Sequence, residues 1–226
     1  MKINIKQLIW ILSTGIGIII LMLVFENMGI GSIANSGQGT VNSFRELQDE
    51  IENFHTSSWN PSAYSTLSAK IHTAKENGTI STDKEENLQK LVDIYYFDML
   101  QKTAERYLFS SNGDYTKIVQ TINQLIASSS LSNEDRVRFS ALKSKMDNVY
   151  AYTEVLQNKI SQFLNQDYNS FCESTFLELI NQIENPSAIV LQYSNNPKFQ
   201  SVQNSVSLLD EYHGRVYANL AFVEPC

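Results

Sequence analysis

The chain has 226 residues, 42% hydrophobic and 18% charged, so it can fill a core and falls outside the disordered class. Its formal net charge is −7 at pH 7, and an acidic body repels phosphate backbones, which argues against nucleic acid as a partner. Only 9 Gly and 4 Pro occur, mostly outside the periodic stretches, which permits long helices and argues against a strand-and-turn protein.

Leu8 to Phe25 carries no charged residue. At ~1.5 Å per residue this run nearly covers the ~30 Å hydrocarbon core of a bilayer. Residues 1–25 are expected to form a short cytoplasmic N-terminus and a transmembrane anchor, with the lipid bilayer as the partner of residues 8–25. Lys2 and Lys6 precede the run and no Lys or Arg follows until Arg45, so the positive-inside bias places everything after Phe25 beyond the membrane. Ser32-Ile33-Ala34 also has the form of a small-residue cleavage site. The alternative is therefore a signal peptide removed near Ala34 and a secreted or periplasmic product. Residues 26–43, rich in Gly, Ser and Asn, read as a flexible linker, and residues 44–226 as an extracytoplasmic helical domain.

That domain repeats itself. Asn-Pro-Ser-Ala-Tyr64, Ser-Asn-Gly-Asp-Tyr115 and Asn-Gln-Asp-Tyr168 each open a short amphipathic segment, and the tyrosines lie 51 and 53 residues apart. Each short segment leads to a longer one carrying an aspartate and an aromatic cluster, beginning at Asp93, Asp147 and Asp210. The third copy is longer in its middle, between Asn185-Pro186 and Asn196-Pro197. The fold class expected is all-α: a transmembrane helix followed by an antiparallel helical-hairpin array or bundle of about six to seven helices, organised as three hairpins of ~50 residues.

Local signals set the helix boundaries. Asn60-Pro61, Asn185-Pro186 and Asn196-Pro197 place a capping side chain before a Pro that suits the first helical position. Thr82-x-x-Glu85 has the form of a capping box, and Asn77-Gly78 and Asn112-Gly113 are helix stops. The helices predicted are 41–55, 61–76, 82–109, 114–128, 132–165, 168–184 and 197–221. Ile94, Tyr96 and Phe97 are expected to widen the apolar arc of the third helix. Val119, Ile122 and Ile126 mark the inward face of the fourth, and Phe176, Leu177, Ile180 and Ile183 that of the sixth.

No set of catalytic residues stands out, and the chain is read as no enzyme and as needing no cofactor. Cys172 and Cys226 are the only cysteines, and in an oxidising compartment they are expected to pair. Glu52-x-x-His55 and Asp210-x-x-His213 each set a carboxylate and an imidazole on one helix face, the arrangement used by two-metal carboxylate bundles, with Glu154 and Glu178 as candidate bridges. They carry the alternative of a metal-binding bundle or enzyme. Ser140-x-x-Lys143 has the spacing of a Ser-Lys nucleophile but no Gly-rich loop to build an oxyanion pocket. Arg136, Arg138, Lys143 and Lys145 form a solvated helix face rather than a phosphate site. Tyr64, Tyr115 and Tyr168 are candidate binding residues, because tyrosine offers contact area and a polar tip at little entropic cost. The function expected is a membrane-anchored interaction or scaffold module that binds another protein at the outer face of the membrane.

Overall fold

The computed structural model describes residues 38–129 and 131–219, with side chains from residue 44 onward. The apolar run 8–25, the small-residue site at Ala34 and Cys226 lie outside the described residues. Among the described residues every regular element is helical, and no helix there is long and apolar enough to cross a membrane.

In chain order the elements are α1 (Gln38–Thr56), α2 (Pro61–Glu76), α3 (Thr82–Ser110), α4 (Tyr115–Ala127) and α5 (Asn133–Tyr150), then a π-helical turn (Ala151–Val155) leading into α6 (Leu156–Leu164). A 3-10 turn (Tyr168–Ser170), α7 (Glu173–Glu184), α8 (Ala188–Leu191) and α9 (Pro197–Asn219) complete them. The chain divides into two compact units between Tyr95 and Tyr96, within α3.

Caps explain most boundaries. Asn60 accepts from the Ser62 and Ala63 N–H groups at 3.0 and 3.4 Å with Pro61 at the first helical position, and α2 ends on Gly78 at φ +70, a left-handed turn that glycine adopts without steric cost. Asp114 and Ser132 cap α4 and α5 by accepting from the Lys117 and Asp135 N–H groups, each at 3.0 Å. The expected Thr82–Glu85 capping box does not form. Ser81 accepts instead from the Lys84 N–H, and the Glu85 carboxylate turns outward to His72 at 2.9 Å. Asn185 closes α7 rather than opening a helix, and Ser187 caps the short α8 that follows.

The structure departs from the sequence pattern at three further places. Helix α1 begins at Gln38, inside the stretch read as linker. The sixth predicted helix, 168–184, is broken after Ser170: Phe171 takes extended backbone and puts its ring into the core, 5.8 Å from Phe163. The inward faces hold except at single residues. Phe176, Ile183, Ile122 and Tyr96 are buried and Ile180 packs against the core, but Leu177 is 56% exposed while Leu179 is buried, Ile118 and Thr121 are buried where Val119 and Ile126 are half-buried, and Ile94 is 56% exposed.

In the first unit, Leu47, Ile51 and Phe54 of α1, Leu67 and Ile71 of α2, Ile80 of the turn after it, and Leu88 and Val92 of α3 form the buried apolar set. Lys70 joins Glu50 at 2.7 Å, the Lys84 ammonium lies 4.8 Å from the Phe44 ring centroid, and the His55 ring packs at a tilt on Tyr95, 4.1 Å between centroids.

In the second unit, α5 and α6 form one apolar seam, Phe139, Leu142, Met146, Val149, Leu156, Ile160 and Phe163, interrupted by the single polar residue Thr153. Phe163 meets Phe171, Phe176 of α7 and Tyr212 of α9 at 5.5–6.5 Å between ring centroids. The last stretch of α3 runs parallel to α5 and the π turn: Phe97 packs edge-on against Phe139 at 5.4 Å, and Tyr107 reaches Thr153.

Candidate functional site

The three candidate tyrosines are held by their own hairpins. Tyr64, in the first turn of α2, donates its hydroxyl to Asp93 Oδ1 at 2.8 Å, and Asp93 also accepts from Gln89 Nε2 at 2.7 Å. Tyr115, the first residue of α4, donates to Asp147 Oδ1 at 2.7 Å while the other oxygen of Asp147 receives Lys143 Nζ at 2.6 Å. The bonds join residues 29 and 32 apart, so they pair the same residue types in two copies of the repeat, with the second aspartate about one helical turn further along its long helix. In the third copy the direction reverses. Tyr168 packs on Tyr212 at 5.5 Å, and it is Tyr212, on the long helix, whose hydroxyl donates back to the Gln166 carbonyl at 3.2 Å. Asp210 stays exposed.

Burial, and next the Asp147 carboxylate that accepts its proton, push the Tyr115 phenol well above its ordinary range. The Tyr115 ring stacks on Tyr150 at 3.8 Å and 6°. Beside them the π-helical turn presents three successive side chains to three different partners. Tyr152 stacks on Phe199 at 5.0 Å and donates its hydroxyl to the Ile183 carbonyl at 2.8 Å. Thr153, fully buried, donates to the Val149 carbonyl at 2.8 Å and lies beside Tyr107. Glu154 forms an ion pair with Lys198. An α-helix turns about 100° per residue and would carry one of three successive residues out of reach of the core. The wider π turn keeps both Tyr152 and Thr153 inside, which is the role such bulges play where a helix must serve several neighbours. The Tyr107 hydroxyl is buried with no partner in hydrogen-bonding geometry, and burial drives the Tyr107 phenol far up.

Asn196 completes this region and has no exposed surface. It precedes Pro197, and its Oδ1 accepts from the Lys198 N–H and from Ser111 Oγ, both at 2.9 Å. Its Nδ2 donates to the Leu108 carbonyl at 2.9 Å and the Tyr107 carbonyl at 3.4 Å. One side chain thus caps the start of α9 and the end of α3, 88 residues apart. Ser111, at φ +53, holds the left-handed conformation that closes α3. Sequence reasoning identified Asn196 only as a local cap; nothing in the order of residues announces its second partner.

The carboxylate-x-x-His pairs do not act as pairs. His213 Nε2 lies 3.0 Å from Glu173 Oε2, with its ring stacked on Phe176 at 4.3 Å, and Tyr217 donates its hydroxyl to the same Glu173 oxygen at 3.1 Å. His55 is occupied by Tyr95, while Glu52 adds to burial in raising the Tyr95 phenol. Glu178 accepts from Gln182 at 2.6 Å. Among the described residues no group of three or more His, Cys, Asp or Glu side chains is placed to hold a metal ion. Arg136 clamps the loop after α4 through the carbonyls of Ile126, Ser128 and Leu131, a use of its guanidinium that competes with any anion. Cys172 is disulfide-bonded at the start of α7, and Cys226, the only other cysteine of the chain, lies outside the described residues.

In the second unit the candidate site is a set of packed tyrosines, paired charges and one buried amide. Its geometry fixes helix positions, and it offers no paired nucleophile and base among its residues. No protein-family model, curated protein or solved structure matches the chain.

Proposed function

We propose that the chain is a membrane-tethered helical-hairpin array that presents a surface to another protein on the outer side of the membrane. The repeated tyrosine–aspartate bond carries this reading. Two hairpins built to one plan, each closing its short helix onto its long one through the same pair of residue types, are what a stacked array requires of its units. The committed side chains support a binding role over a chemical one. Asp93, Asp147, Glu154, Glu173 and His213 each already have a partner. The apolar run 8–25 supports the tether, the Lys2 and Lys6 flank its orientation, and the Ser32-Ile33-Ala34 triplet leaves cleavage as the other outcome of the same export route.

Two measurements test the reading. Protease protection of right-side-out vesicles is expected to show the α1–α9 region digested from outside and a membrane-retained N-terminal fragment. A body digested only after lysis removes the topology. Affinity purification of the full-length protein from its native membranes is expected to retain a stoichiometric protein partner that washes off when exposed helix-face charges are reversed. A preparation that instead carries stoichiometric iron, manganese or zinc replaces the scaffold reading with a metal protein.

A further inference from the structure

Two Asn-Gly pairs stand at helix ends in this chain: Asn77-Gly78 after α2 and Asn112-Gly113 after α3. Such pairs can modify themselves. The glycine backbone nitrogen attacks Cγ of the asparagine side chain, a C–N bond forms, and the side-chain nitrogen leaves as ammonia. Water then opens the cyclic succinimide to aspartate or to isoaspartate, in which the main chain runs through the side-chain methylene. Water is the only co-reactant, and glycine favours the attack because no Cβ obstructs it. Two conditions decide whether a folded protein permits the step: the attacking N–H must be free of a hydrogen bond, and the side chain must be able to swing onto it.

All four residues are exposed, and the two sites differ on the first condition. At the end of α2 the Gly78 N–H donates to the Lys75 carbonyl at 3.0 Å and the Asn77 N–H to the Thr73 carbonyl at 3.0 Å, so the attacking nitrogen is committed. Between α3 and α4 neither the Gly113 N–H nor the Asn112 side chain has a hydrogen-bond partner among the described residues, and both residues are exposed in irregular backbone. We infer that Asn112 is a site of spontaneous deamidation and that the helix-closing turn protects Asn77. The position matters for the molecule. Asn112 lies next to Ser111, which bonds to Asn196, and two residues before Asp114, which caps α4. Aspartate there adds a charge that the α4 N-terminus tolerates, whereas isoaspartate lengthens the main chain between two anchored residues.

The test is peptide mapping with isoaspartate detection on the full-length protein aged at neutral pH, beside the same protein aged in guanidinium until both Asn-Gly peptides have converted substantially. Conversion in the folded protein is expected to be about two- to tenfold faster at Asn112 than at Asn77, the factor set by opening one hydrogen bond. The two rates are expected to converge in the denatured sample, and N112Q to abolish the product. Equal rates in the folded state, faster conversion at Asn77, or an unmodified Asn112 while the denatured sample converts would each overturn the inference.

Discussion

Replacing Asn196 by alanine is expected to weaken the second unit more than any other single change of similar size. The substitution removes the side-chain cap of α9, worth ~1 kcal/mol. It also strips the Leu108 and Tyr107 carbonyls of a donor inside the protein, at ~0.5–1 kcal/mol each, the lower figure for the 3.4 Å bond. Ser111 loses its acceptor too, but it is partly exposed and water replaces the bond. The sum is about 2–3 kcal/mol, which for a chain of this length corresponds to roughly 4–12 °C in the midpoint of a thermal melt followed by circular dichroism. N196D separates the two halves of the latch. It keeps the oxygen that Lys198 and Ser111 use and replaces the donor with an oxygen facing two carbonyls at the negative end of α3. It should cost at least as much as N196A at neutral pH. Because the carbonyls favour the protonated acid, the folded-state pKa of the introduced carboxyl is raised, so the N196D deficit is present above that pKa and shrinks as pH falls through it. An N196A midpoint within about 1 °C of the unmodified protein, or an N196D midpoint equal to it at neutral pH, would refute the assignment of Asn196 as the link between α3 and α9.

Three shorter predictions rest on the same region. Y152F removes a hydroxyl that donates to Ile183 and should cost ~1–2 kcal/mol, whereas Y107F removes one without a partner and should be neutral within about 0.5 kcal/mol, a contrast that chemical denaturation resolves. Burial raises the phenols of Tyr107, Tyr115, Tyr152, Tyr193 and Tyr212 above their unfolded value. Their neutral form is favoured by folding, so this stability is fully present below about pH 10 and is lost as pH rises through the raised values; an ultraviolet titration should show phenolate appearing together with loss of helix signal. Pairing of Cys172 with Cys226 closes a loop of about 53 residues, so reduction should lower stability by about 2–4 kcal/mol, and non-reducing peptide mapping should recover the two cysteines in one linked fragment.

The helix edges were legible because their causes are local. Asn60-Pro61, Ser132 and Asn77-Gly78 act within a few residues of themselves, so the chain order displays them. The π turn was not legible, since Ala151 to Val155 reads as uninterrupted helix and only the need to serve Phe199, Tyr107 and Lys198 at once widens it. The break at Phe171 was hidden for a similar reason: the ring's place in the core outweighs the helical preference of the stretch around it. On α7 the face marked by Phe176, Ile180 and Ile183 was legible, but choosing Leu177 over Leu179 was an error at its edge, which α7 settles only by packing against α9. The candidate tyrosines were found by their repeat, but their internal partners were not. A tyrosine recurring at one register satisfies a repeated internal bond as readily as a ligand, and the aspartates that began each aromatic cluster were the missing signal.

That internal bond allows one substitution to be tried twice. A tyrosine hydroxyl given to a carboxylate is worth ~1.5–3 kcal/mol when buried, but Asp93 and Asp147 are only half-buried, so screening by water brings the expected cost of Y64F or Y115F to ~0.5–1.5 kcal/mol. Neither carboxylate is orphaned, since Gln89 and Lys143 remain, and the Tyr115 ring keeps its stacking on Tyr150 as phenylalanine. The two variants should therefore fall in the same narrow range, and the double variant should cost their sum, because the bonds share no partner. The same pair separates a clasp from a ligand groove. A clasp loses stability and keeps its affinity for a partner recovered from membranes, whereas a groove that uses the tyrosine tips loses affinity and keeps stability. If Y64F destabilises and Y115F does not, the likeness of the two hairpins is one of sequence alone, and the case for an array built from equivalent units fails with it.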